Sequence, residues 1–98
     1  MRLIIATDTS VFEVASRNAL TAFLEAKGWS VWHWYAQLWL IDTGSEAVNF
    51  IALREEIRKA IPTLSHFLLT SAEGPTDHAG MVPKESTAWF KQHWLRKP

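Results

Sequence analysis

Three kinds of residue in this chain could do chemistry: an aspartate closing a short apolar run, four histidines, and a cluster of tryptophans. Asp8 follows "LIIAT". Strand ends are where a rigid scaffold holds a reactive group best, so this carboxylate is the leading catalytic candidate. The competing reading is a turn, because "DTS" is also ordinary turn and cap chemistry. His33 sits between Trp32 and Trp34. A group titrating near neutrality could act there as a general base, and a half-buried, hydrogen-bonded histidine fits the same pattern. His66 opens a second apolar run, and His78 lies beside Asp77 in a stretch rich in Gly and Pro. His93 follows Trp89 by four residues, which puts the two on one helical side and reads as packing. No HExxH or H-x-x-x-H spacing occurs and there is no cysteine, which argues against a zinc site. No Ser/His/Asp order, nucleophile elbow or Gly-rich phosphate loop is visible along the chain.

"GWSVWHWYAQLWLID", residues 28–42, holds four of the six tryptophans. Such aromatics can stack bases on a sheet, or they can fill a core or a contact between two copies. No Lys or Arg stands between Lys27 and Arg54, so a base-stacking surface would lack its cations. Ten basic and ten acidic residues cancel over the 98-residue chain, which disfavours nucleic acid as a partner without excluding it. The length suits one domain, residues 1–98. The apolar run Leu3–Ala6 is too short for a secretory signal or a membrane span, so the expected location is cytoplasmic, with no membrane partner.

These residues need elements to position them. Residues 3–7 predict a first strand, apolar on both faces. Ser10 with Glu13 matches a capping box, Phe12, Ala15, Ala19, Leu20, Phe23 and Leu24 recur at helical spacing, and Gly28 supplies a left-handed stop. In the next stretch Val31, His33 and Tyr35 point one way and Trp32 and Trp34 the other. Ala36–Gln37 is a plausible two-residue turn, after which Leu38, Leu40 and Asp42 alternate against Trp39 and Ile41. The favoured reading is a hairpin, with one long bent strand as its rival. Ser45 predicts the cap of a second helix, with Phe50, Leu53, Ile57, Ala60 and Ile61 inward and Pro62 as its end. "HFLLT", residues 66–70, predicts strand four; 73–84 is irregular; a last helix runs over about 85–96, within a C-terminal extension from residue 84.

The order β-α-β-β-α-β plus a helix predicts an α+β, ferredoxin-like split antiparallel sheet with an extra C-terminal helix. Two helices cover one face of a four-stranded sheet. The other is also apolar and needs a cover, either the C-terminal helix with Trp89 and Trp94 or a second copy of the chain. Trp32, Trp34, Trp39, Trp89 and Trp94 are the expected packing residues of that tail or dimer contact, and the expected assembly is a homodimer.

The strand ending in Asp8, "SVWHWY", "LWLI", "HFLLT" and the final "ESTAWFKQHW" together resemble the small bacterial and phage proteins called SinR-like. Those are similar in fold to the CRISPR-associated adaptation subunit and to VapD ribonucleases. The resemblance covers nearly the whole chain and implies a ferredoxin-like homodimer. It also implies that Asp8 is the metal ligand, one from each protomer. Paired Asp8 carboxylates could then hold Mg²⁺, which prefers oxygen ligands.

Three functions follow as expectations. The first is a dimeric, non-enzymatic accessory or interaction protein of a defence, phage or toxin–antitoxin kind, with a protein partner. The second is a metal-dependent endoribonuclease working through Asp8. The third is a binder of single-stranded nucleic acid through the aromatic sheet.

Overall fold

The computed structural model describes residues 1–7, 14–35, 37–64, 66–72 and 84–94, with backbone alone at Trp34 and Tyr35. Strand β1 is Arg2–Thr7, helix α1 Val14–Glu25, β2 Ser30–Tyr35, β3 Leu38–Asp42, α2 Phe50–Ala60 and β4 Phe67–Ser71. The tail forms α3, Ser86–Trp89, which runs on as a π-helical turn, Phe90–Trp94. The strands make one antiparallel sheet in the order β2-β3-β1-β4, a small α+β architecture. Among the described residues, no helix is long and apolar enough to cross a membrane. Asp8, Ser10, Glu13 and His78, and with them the expected Asp8 metal site and capping box, lie outside the described residues.

The hairpin is present, and it carries a bulge. Tyr35 pairs with Leu38, while Trp32 pairs with Leu40 and Ser30 with Asp42; the register shifts between Trp32 and Tyr35. Counted back from the turn without interruption, Trp32 would oppose Ile41 and share a face with Trp39. One extra residue in β2 moves it to the other face.

That shift decides the two cores. One lies under α1 and α2: Leu3, Ile5, Trp39 and Ile41 of the sheet meet Leu20 and Leu24 of α1 and Leu53 and Ile57 of α2. Trp39 is fully buried there, and its indole N–H donates to Thr21 Oγ1 at 3.0 Å. Trp39 therefore does not belong to the tail contact that the sequence assigned it. The other core joins Trp32 and Leu40 to Phe90 and Trp94, with Ile4, Leu38, Ala72 and Trp89 at its margin. The chain's own tail covers this face, so the cover that motivated a second copy is supplied within the protomer.

Three helix details differ from the sequence reading, one being that Ala60, expected inward on α2, is exposed. Ala15 and Ala19 are exposed; the inward side of α1 is Leu20, Phe23 and Leu24, with the half-buried Thr21. Helix α2 is capped by Asn49, whose side chain accepts Ala52 N–H at 3.0 Å, rather than by Ser45. Residues 44–48 instead close the loop after β3. Gly44 has φ +71°, a left-handed backbone that suits glycine, and Thr43 Oγ1 donates to the Glu46 carbonyl at 2.7 Å. Gly28, at φ +81°, ends α1 as its type predicts.

Candidate functional site

The tail's contact with β2 and β3 brings together a serine, a histidine and an aspartate. Ser30 and Asp42 are register partners, so their side chains leave the same face of the sheet. His93 reaches down between them from the π-helical turn. Its Nδ1 lies 2.8 Å from Asp42 Oδ2, and its Nε2 lies 3.2 Å from Ser30 Oγ. Ser30 Oγ also accepts the Trp89 indole N–H at 2.9 Å. Asp42 Oδ1 is held by the Gly44 N–H at 2.9 Å.

Proton inventory fixes the direction of the two outer bonds, from the Trp89 indole N–H to Ser30 Oγ and from the imidazole to Asp42. A carboxylate only accepts, so His93 Nδ1 carries the hydrogen toward Asp42. In the tautomer with hydrogen on Nδ1 alone, Nε2 is an acceptor and the Ser30 hydroxyl donates to it. The indole donates to Ser30 in turn. The chain reads Trp89 N–H to Ser30 O–H to His93 N–H to carboxylate.

Asp42 is ionised across the ordinary pH range. Burial alone would raise its pKa, but hydrogen bonds from His93 and from the Gly44 N–H, together with positive charge on His93 and the N-terminus, hold it below the usual value. The side chains of Asp42 and His93 are each 21% exposed, so the pair is partly shielded from water.

The other candidates scatter. His33 stacks on Trp39 with ring centroids 3.9 Å apart and planes within 4°, and its Nδ1–H donates to the Leu38 carbonyl at 2.9 Å. Burial lowers its pKa despite that hydrogen bond, and the Arg17 charge lowers it further. It is a neutral, structural ring. His66 is exposed at the start of β4. Of the tryptophans, Trp32, Trp89 and Trp94 meet at the tail: Trp32 N–H donates to Ser86 Oγ at 2.9 Å, and Trp32 packs edge-on against Phe90 at 5.2 Å. Trp29, buried beside α2, donates to Glu46 at 3.0 Å. The side chain of Trp34 lies outside the described residues. Among the described residues, no three His, Asp or Glu side chains gather as a metal would require.

Linear reading missed Ser30 and Asp42 because the three partners are separated by 63 and 51 positions. The signal lay in the hairpin. Polar residues end β2 and β3 on one side, and a tail histidine at a four-residue step from Trp89 faces them.

A second feature is the flank formed by β4 and α2. β4 is an edge strand. Leu68 is 63% and Ile51 68% exposed. Two concave surfaces adjoin here, sharing Arg54, Phe67 and Leu68: one also reaches Ile51, the other Arg58 and His66. Both guanidiniums are exposed and share Glu55 as a partner at 3.2 Å, leaving further donors on each fork.

No family model, curated protein or solved structure matches this chain.

Proposed function

We propose that the chain is a non-enzymatic interaction protein of ferredoxin-like topology, of an accessory kind, and that it docks an extended acidic segment of a partner protein along β4. The single observation carrying this reading is the β4–α2 flank: an edge strand with exposed Leu68 and Ile51, beside Arg54 and Arg58 and with no carboxylate among the described residues that line it. An added strand would take up β4's outward backbone groups, place alternate apolar side chains against Leu68, and set its carboxylates on the guanidiniums. A second copy of this chain would bring like charges together at the same place, which disfavours it as the occupant. The aromatic sheet is a weaker candidate surface, because Trp32 is buried beneath Phe90 and Trp94.

The test is a fluorescence-anisotropy titration with two labelled extended peptides, one alternating apolar and acidic residues, the other apolar and basic. The acidic peptide should bind, and both Leu68→Asp and Arg58→Glu should weaken it at least about tenfold, the size expected for a docking residue worth 1.4 kcal/mol. Unfolding of Leu68→Asp should stay within about 0.5 kcal/mol of wild type, since the site is exposed. Equal binding of both peptides, or of neither, would overturn the reading. A doubled mass by light scattering that Leu68→Asp abolishes would assign the flank to a second copy instead.

A further inference from the structure

We propose that Ser30, His93 and Asp42 form an acyl-transfer site acting on small carboxylic esters. This goes beyond the docking reading and does not depend on it. The argument is geometric. A hydroxyl within reach of an imidazole, itself oriented by a carboxylate, is how an activated nucleophile is recognised whatever the fold or the order in the chain. Here both links are within hydrogen-bond reach, at 3.2 and 2.8 Å. The carboxylate is in turn fixed by the Gly44 N–H at 2.9 Å, so the ring cannot turn without breaking a second bond. Ser30 stands at the start of an edge strand and is half-buried.

The roles follow from the protons. Ser30 Oγ forms a bond to the ester carbonyl carbon as its proton passes to His93 Nε2. The bond from that carbon to the alcohol oxygen breaks, and the departing oxygen takes the proton from Nε2. Water then attacks the acyl-Ser30 carbon, giving a proton to Nε2, and the serine oxygen recovers it as the carboxylic acid leaves. Ester and water become acid and alcohol, with His93 unchanged. Asp42 is a positioning residue, keeping the Nδ1 proton in place and favouring the imidazolium formed midway. The Trp89 indole N–H donates to Ser30 Oγ at 2.9 Å and so positions the hydroxyl.

The experiment uses the full chain. A fluorophosphonate probe is incubated with wild-type protein and the adduct is mapped by mass spectrometry, while p-nitrophenyl acetate hydrolysis is followed against pH. A single adduct on Ser30 is expected, with ester turnover falling about 100-fold or more in His93→Asn. Asp42→Asn should slow turnover and alter its pH profile, which loss of a merely structural bond would leave in place. The adduct is read on wild type, so the result stands even if a variant fails to fold. Absence of a Ser30 adduct, an adduct on another serine, or equal turnover in Ser30→Ala would overturn the proposal and leave the network as a fastener for the tail.

Discussion

The two faces of the sheet are closed by different means. The α1–α2 side is closed mainly by aliphatic volume around two indoles, Trp39 and Trp29: Leu20, Leu24, Leu53 and Ile57 against Leu3, Ile5 and Ile41, all seven aliphatics 3% exposed or less. The tail side has far less chain to work with, a four-residue α3 and a five-residue π-helical turn. It compensates with large rings and directed bonds. Trp32 donates to Ser86, Trp89 to Ser30 and His93 to Asp42, and the Arg2 guanidinium reaches the Trp94 carbonyl while lying 5.8 Å over its ring. A long amphipathic helix can be held by non-directional burial alone. A short segment needs its hydrogen bonds, because each one also fixes where the rings sit.

The largest test of that contrast is Trp94→Ala. If the tail is a true second core, the substitution should cost about 3–5 kcal/mol in urea unfolding, as deep as Ile57→Ala on the other face. A loss below about 1 kcal/mol would mean that the tail merely rests on the sheet. Ser86→Ala probes the directed bonds. It removes the acceptor of the Trp32 indole N–H, should cost about 1–3 kcal/mol, and should shift tryptophan emission.

The smallest effect belongs to pH. His33 has a lowered pKa in the fold, so the folded state favours its neutral ring. That contribution is complete above the unfolded value of 6.5 and fades as pH falls through the lower folded value. His33→Asn should flatten stability over this window. Asp42, lowered from 3.8, loses its contribution only at more acid pH, below that value. Two separate acid limbs in the stability of wild type, the upper one absent in His33→Asn, are the expected pattern.

Local rules made much of the fold readable. Alternation located the hairpin, spacing located Leu53 and Ile57, and counting faces showed that the sheet needed a second cover. Where reading failed, a non-local or competing local choice had won. Ser45 and Asn49 are both good caps, and nothing in their types says that Thr43 would tie residues 44–48 into the preceding loop. The β2 bulge has no composition signal, yet it decides which face Trp32 takes and sets Ser30 opposite Asp42. The Ser30–His93–Asp42 cluster depends on that register and on the tail's docking angle, so the polar ends of the hairpin strands hinted at it without assembling it. The β4 flank was half legible: "HFLLT" predicted a strand apolar on both faces, but not that the tail would stop short of Leu68.

The widened turn at Phe90–Trp94 carries its own consequence. A π turn fits one residue more than an ordinary helical turn into nearly the same rise. Lys91 and Gln92, both exposed, are the natural surplus. Removing either would let the coil rewind to regular pitch with the ring pair still facing the strands, three positions apart instead of four. Shortening by one residue here should therefore be tolerated, whereas the same excision within α2 would rotate Ile57 out of the protein.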